Sequence, residues 1–169
     1  MNESAEKESI RTERGFSEAV TGCERLLFSV SFTVLNDREL CADAVQNAVL
    51  KAWKRIGTLR DPAKFKSWLV RIVLNECMNL KKKPSPLPLT EDIPAETRDR
   101  DASIDVRRAV TKLDEKYRIP VALYYFEEMP VGDIAAAMGI PKGTVLSRLS
   151  RARDILRKEL MDYDEGLQK

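Results

Sequence analysis

The sequence predicts an all-α protein of two small helical domains joined by an extended linker. Three observations support this: apolar residues recur at helical spacing, strand-like alternation is almost absent, and a proline-rich acidic stretch separates two helical halves. At 169 residues the chain can hold one ordinary domain or two small ones. The predicted boundaries are a flexible N-terminus at 1–15, a first domain at 16–83, a linker at 84–103, a second domain at 104–162 and a tail at 163–169.

The first domain is predicted to contain three or four helices. Apolar spacing predicts them over Phe16–Leu35, Arg38–Ile56 and Phe65–Leu80. Gly57 ends the second of these, and Pro62 suits the first turn of the third. A short loop therefore separates the second and third helices.

The second domain follows the stretch "KKKPSPLPLTEDIPAETRDRDAS", which holds four prolines and a dense run of acids. Such a composition is typical of a linker or a surface strap and not of a core. Beyond it, helices are predicted over Ile104–Leu113, Tyr117–Phe126, Val131–Met138 and Pro141–Met161.

Composition excludes several classes of protein. The net charge is only +2, but basic residues concentrate in Lys51–Lys83 and Pro141–Lys158, which suggests separate surfaces for acidic partners. The three cysteines form no CxxC pair, so neither a disulfide framework nor a metal site is expected. There is no apolar run long enough to span a membrane and no leader, so a cytoplasmic protein without membrane insertion is expected.

The stretch "GDIAAAMGIPKGTVLSRLSRARDIL" has the pattern of a helix-turn-helix. That motif needs a small residue where the helices cross, a glycine that can take positive φ in the turn, and an aliphatic plug early in the second helix. Ala135, Gly139 and Val145 meet these needs. The spacing then leaves a polar, partly basic face on the second helix.

That face is a candidate DNA-reading surface, because hydroxyl and basic side chains at a helix N-terminus can enter a major groove. The candidates are Lys142, Thr144, Leu146, Ser147, Ser150 and Arg151. The alternative is an ordinary solvated face, although such faces usually carry mixed charges.

A second candidate surface lies on the predicted helix Arg38–Ile56. Its polar side carries Asp43, Gln46 and Asn47, with Leu50 in the middle. An exposed leucine alone is normal on a protein surface. The functional interpretation is a protein contact in which the leucine is the apolar anchor.

Next comes a stretch that interleaves basic and aromatic residues, "KAWKRIGTLRDPAKFKSWLVR". Trp53 and Trp68 are expected to be core aromatics. The cations need another explanation, and nucleic acid is the simplest, since melted DNA requires both phosphate attraction and stacking. The candidate cations are Lys54, Arg55, Arg60, Lys64, Lys66 and Arg71.

The chain resembles the sigma-70 family, in its extracytoplasmic-function (ECF) group. "ADAVQNAVLKAWKRIGTLRDPAKFKSWLVRIVLNE" is similar to region 2 and "VRRAVTKLDEKYRIPVALYYFEEMPVGDIAAAMGIPKGTVLSRLSRARDILRKEL" is similar to region 4. The resemblance implies a dissociable RNA polymerase subunit that selects promoters, and it implies an anti-sigma factor as a further partner.

The resemblance also implies roles for the candidate surfaces. The helix with Leu50 would dock on the clamp coiled coil of the largest polymerase subunit, the basic stretch would bind the melted −10 element, and the helix from Lys142 the −35 element. The chain departs from the family pattern at three positions: Asn47 stands where glutamate is common, Leu146 where a cation is common and Asn79 where aspartate is usual.

Two other classes of protein are alternatives to a sigma factor. A one-component transcriptional regulator would join the same helix-turn-helix to an effector or dimerisation domain, but the basic first half argues against one. An enzyme is disfavoured because the chain has no histidine, no glycine-rich phosphate loop and no nucleophile with a nearby base. No cofactor is therefore expected.

Overall fold

The computed structural model describes residues 9–82 and 101–167, with side chains described over 9–82 and 106–161. Every regular element in these ranges is helical, as predicted. The chain divides into two compact units. The prolines and most of the acids of the predicted linker lie outside the described residues.

In its described residues, the first unit contains the α-helices α1 (Glu13–Thr21), α2 (Glu24–Leu35), α3 (Arg38–Arg55) and α4 (Phe65–Lys81). Two short 3₁₀ turns, Ile56–Thr58 and Pro62–Lys64, lie between α3 and α4. Pro62 therefore begins a separate turn, with Asp61 as its cap, and not the first turn of α4 itself.

Polar side chains set the beginnings of α1 and α3. The side chain of Thr12 accepts a hydrogen bond from the Gly15 amide at the start of α1, and Asp37 accepts one from Leu40 at 2.8 Å at the start of α3. Asn36 ends α2 in the left-handed conformation, with φ of 49°, which asparagine tolerates well. The sharp corner between α2 and α3 thus follows from the Asn36-Asp37 pair.

One sequence prediction for this part of the chain is wrong. The predicted helix Phe16–Leu35 is broken at Gly22 and Cys23 into α1 and α2. Residues 13–15, predicted as part of a flexible N-terminus, belong to α1. The break escaped the pattern because Phe16 and Leu27 are eleven residues apart, about three full turns, so the apolar periodicity continues across it.

The core of the first unit lies between α2, α3 and α4. Ala44, Ala48 and Ala52 are fully buried on one side of α3, and their small side chains let α4 approach closely. The facing side chains of α4, which include Leu69 and Val73, are also fully buried. One apolar stripe on each helix therefore fixes the orientation of the opposite, exposed faces.

Aromatic residues join α1 to this core. Phe16 is buried, and its ring centroid lies 5.0 Å from that of Trp53 and 5.9 Å from that of Phe65. Phe65 lies 6.0 Å from Trp68. Trp53 is nevertheless 38% exposed and Trp68 is half-buried. Both tryptophans were expected to be core residues, but neither is fully enclosed.

The second unit contains α5 (Asp101–Thr111), α6 (Glu115–Val121), a π-helical turn (Ala122–Phe126), α7 (Val131–Met138) and α8 (Lys142–Leu167). The bounds of α7 agree with the prediction. By contrast, α5 begins inside the predicted linker and α8 continues into the predicted tail.

The π-helical turn interrupts what the sequence presented as one helix, Tyr117–Phe126. Pro120 lies within α6, where it has no N–H to donate and its ring disturbs the preceding turn. The wider turn that follows is closed by the Glu127 amide, which donates to Ala122 O at 3.2 Å. The irregular segment thus directly follows a helix that contains a proline.

None of the described helices is long and apolar enough to cross a bilayer. The cysteines are free thiols: Cys41 and Cys77 are buried and Cys23 is half-buried. Burial raises the pKa of Cys41 to about 12, because the thiolate loses its hydration. This thiol is therefore an inert core side chain at neutral pH.

Candidate functional site

The helix-turn-helix has the geometry that the sequence predicted. Gly139 has φ of +65°, which glycine adopts without strain, and the next amide, that of Ile140, donates to Ala135 O at 3.1 Å. Ala135 is buried at the crossing point and Val145 is fully buried at the start of α8. The turn between α7 and α8 is therefore fixed by the backbone and by small buried side chains.

The outward side of α8 presents most of the predicted DNA-reading residues. Lys142, Leu146, Ser147, Ser150 and Arg151 are exposed. Thr144 is half-buried, so it is the least accessible of the set.

One of these residues is held by a close contact at the start of the motif. A Cβ atom at Gly132 would lie only 3.1 Å from Lys142 Cε. The absence of a side chain at Gly132 thus lets the lysine stem lie against the first turn of α7. The ammonium group is placed near the N-termini of two helices, where an anion is stabilised.

On the first unit, the predicted protein-contact surface lies on the exposed side of α3. Leu50 is 56% exposed, although the same helix buries three alanines completely. Asp43, Gln46 and Asn47 are exposed on the turns before it. These four side chains form one polar face with an apolar centre, as predicted from the helical spacing.

All six predicted −10 cations are exposed. They come from the end of α3, the loop that follows, the second 3₁₀ turn and the first half of α4: Lys54, Arg55, Arg60, Lys64, Lys66 and Arg71. The loop is anchored by the buried side chain of Leu59, whose carbonyl accepts a hydrogen bond from Arg11 Nη2 at 3.4 Å.

Lys51, which the sequence placed in the same basic stretch, has a different environment. Its Nζ lies 2.6 Å from Glu76 Oε1 on α4, and the Glu76 side chain is only 10% exposed. No pattern in the sequence indicates this pair, because the two residues are 25 positions apart. The lysine therefore neutralises an inward-facing carboxylate.

A groove beside this ion pair is lined by polar residues, of which only Arg55 was predicted as a site residue. Its volume is about 370 Å³, and it lies between the end of α3 and the second half of α4. Arg55, Asn75, Asn79 and Lys82 line it. The missed signal was the helical spacing of the last three, which puts two amide side chains and a cation in one row.

A pair of tyrosines is a second feature that was not predicted. Tyr124 and Tyr125 are exposed on the π-helical turn, with ring centroids 4.9 Å apart. The Tyr125 hydroxyl accepts a hydrogen bond from Arg153 Nη1 on α8 at 3.3 Å. The irregular turn thus supports one cation of α8.

Two family models match most of this chain. The Sigma-70 region 2 model matches residues 19–85, and the Sigma-70 region 4 model matches residues 103–156. The region 2 match contains the exposed face of α3 and the basic stretch. The region 4 match contains the helix-turn-helix.

Curated relatives give the same result. The ECF RNA polymerase sigma-E factor of Haemophilus influenzae is 31% identical over 138 residues, which cover 70% of this chain and 73% of that protein. The ECF sigma factor SigM of Mycobacterium tuberculosis is 34% identical over 74% of this chain and 66% of its own length. SigW of Bacillus subtilis is 26% identical over 87% of this chain and 89% of that protein.

Solved structures share the fold. The sigma factor RpoE from Bartonella quintana, crystallised with the anti-sigma factor NepR, has a TM-score of 0.72 and 23% identity, covering 86% of this chain and 96% of that one. CnrH, solved in complex with the cytosolic domain of CnrY, has a TM-score of 0.70 and 24% identity, covering 96% and 98%.

The matches leave no support for a one-component regulator, because the first half of the chain is itself a sigma region and not an effector domain. Sigma factors are transcription initiation factors and not enzymes, in agreement with the prediction. The chain therefore belongs to the sigma-70 family, as a sigma factor of the ECF group that directs RNA polymerase to promoters.

Proposed function

We propose that the exposed face of α3 is the core-polymerase contact of this sigma factor, with Leu50 as its apolar anchor. Asp43, Gln46 and Asn47 surround the leucine and are exposed with it. A large apolar side chain inside a polar rim is the usual arrangement of a protein interface. The clamp coiled coil of the largest polymerase subunit is the proposed partner, and an uncharged Asn47 can still contribute hydrogen bonds there.

The six exposed cations of the first unit are proposed to hold the −10 element. Their positions on α3, on the loop and on α4 suit a strand whose phosphates pass over several elements. Asn75 and Asn79 extend this surface into the groove, and an amide side chain can both donate to and accept from a base edge. The proposed −10 site therefore includes two residues beyond those predicted from sequence.

The recognition helix α8 is proposed to bind the −35 element through its outward side. The observation that carries the proposed function is that these candidate residues, apart from the half-buried Thr144, are exposed like those of the first unit, while the stripe behind them is buried. Thr144 would contribute through its side chain, since its amide already donates to Pro141 O at 3.0 Å.

An anti-sigma factor is proposed as a further partner. Two structurally similar sigma factors were solved in complexes, one with an anti-sigma factor and one with the cytosolic domain of CnrY. We place the protein in the cytoplasm, where core polymerase is found.

Reconstitution tests the proposal directly. The full chain is mixed with core RNA polymerase, and the co-eluting complex is used for run-off transcription of genomic fragments. We expect co-elution and transcripts that start at defined sites only when the chain is present. Core enzyme that elutes without the chain, or starts that do not depend on it, would contradict the proposal.

A further inference from the structure

Leu146 is an apolar residue in an unusual position on the recognition helix. Its side chain is 55% exposed, although it lies in the second turn of α8, where a helix-turn-helix enters the major groove most deeply. Lys142 and Ser150 lie four residues before and after it, so the three share one exposed row. More than half of this leucine lies uncovered in water, so it contributes little to the stability of the fold.

The residues around Leu146 provide few hydrogen-bond donors for bases. Gly143 has no side chain, and Arg148 is half-buried on another side of the helix. The Ser147 hydroxyl donates to Thr144 O at 3.0 Å, so its proton is already used. Recognition of guanine by a bidentate side chain needs a long free donor. The exposed long donors around Leu146 are Lys142, at the helix start, and Arg151, which follows Leu146 by five residues and therefore lies to one side of the row of Lys142, Leu146 and Ser150.

We propose that Leu146 is a specificity-determining residue that packs against the C5-methyl group of a thymine in the −35 element. Thymine is the one base with an apolar group on its major-groove edge. A leucine in this row can cover that methyl group and is itself covered in return. This inference rests on the proposed −35 function of α8 and names the base feature that the helix reads.

The proposed contact makes one chemical change decisive. Replacing a thymine by deoxyuridine removes only the methyl group and leaves base pairing and the hydrogen-bonding edge unchanged. Burial of one such group is worth about 0.8 kcal/mol, which corresponds to about a fourfold change in affinity. A contact made only by hydrogen bonds or phosphates would not respond.

The experiment uses holoenzyme reconstituted from the full chain and core RNA polymerase. Promoters with a randomised −35 segment are selected for holoenzyme binding, and each thymine of the selected element is then replaced singly by deoxyuridine. We expect one replacement to weaken binding by about fourfold with the unmodified protein and to have no effect with Leu146→Ala. Leu146→Met, which keeps an apolar side chain, should retain the penalty.

Ile155→Ala is the matched control. Ile155 is also an exposed aliphatic residue of α8, at 38%, but nine residues further on it points to the opposite side of the helix. Holoenzyme with this variant should show the same deoxyuridine penalty as the unmodified protein.

The outcomes separate this inference from the function on which it rests. A selected element without thymine on either strand, or a deoxyuridine penalty that persists in Leu146→Ala, overturns the role of Leu146 and leaves −35 recognition intact. Selection that enriches no −35 sequence contradicts −35 recognition by α8, and the role of Leu146 with it.

Discussion

At the scale of single residues, Leu50 is the sharpest test of the proposed polymerase contact. Leu50→Asp should abolish co-elution with core polymerase, because a carboxylate cannot occupy an apolar groove without losing its hydration. The free energy of unfolding should change by less than about 1 kcal/mol, since the side chain is already exposed. Urea unfolding and gel filtration with core enzyme measure the two quantities.

Phe28→Asp is the control for that experiment. Phe28 is another exposed apolar residue of the first unit, on α2 and outside the proposed contact surface. The Phe28→Asp variant should retain polymerase binding. Loss of binding in both variants would indicate a general effect of added negative charge, and marked unfolding of Leu50→Asp would assign that leucine to the core.

The Lys51–Glu76 pair gives a second prediction at this scale. Lys51→Met should reduce the free energy of unfolding by about 1–2 kcal/mol, because it leaves a largely buried carboxylate without its partner. Replacing both residues by methionine should recover part of the loss. Lys54→Met, at an exposed neighbouring position, should have an effect below about 0.5 kcal/mol.

Glu76→Met completes a double-mutant cycle with the unmodified chain, Lys51→Met and the double variant, and urea unfolding of these four proteins measures it. If the losses in the free energy of unfolding of Lys51→Met and Glu76→Met simply add in the double variant, the two side chains have no coupling energy. The ion pair would then not stabilise the packing of α3 against α4.

At the scale of elements, the turn before α7 carries a strained residue. Glu128 has φ of 51°, a conformation that costs a residue with a side chain about 1–2 kcal/mol. Glu128→Gly removes that strain but adds about 0.5–1 kcal/mol of unfolded-state freedom. We expect a net gain of about 0.5–1 kcal/mol in urea unfolding, whereas Gly139→Ala should lose at least about 1 kcal/mol.

A loss of stability in Glu128→Gly would mean that the glutamate side chain makes a stabilising contact that outweighs its backbone strain. Gly139→Ala serves as the internal reference, because it places a side chain on the other left-handed residue near α7.

Periodicity predicted the type and approximate position of most elements, since one apolar stripe per helix is what the core requires. It could not predict the break before α2, where the stripe continues in phase across Gly22, nor the π-helical turn after Pro120. The exposed faces of α3 and α8 could be predicted from the same apolar stripes, since they lie opposite them. The Lys51–Glu76 pair and the groove beside it could not be predicted, because both depend on how α3 and α4 are aligned.

At the scale of the whole molecule, the length of the chain between the two units limits which promoters can be used. Two elements about 17 base pairs apart are separated by about 58 Å along the DNA at 3.4 Å per pair. Residues 83–100 reach about 65 Å when fully extended, at about 3.5 Å per residue. The proposed recognition of both elements by one chain therefore leaves little length to spare.

Shortening that segment should change the preferred promoter spacing. Deleting residues 87–94 reduces the maximum length of the segment to about 40 Å, which is less than the distance of about 58 Å between the two promoter elements. Both units should stay folded, because all eight residues lie outside the described helices, and polymerase binding through α3 should persist. We expect run-off transcription from promoters of normal spacing to fall strongly and to recover partly when the spacer is shortened. Undiminished transcription from the unaltered promoter would show that the two units do not read the −10 and −35 elements together.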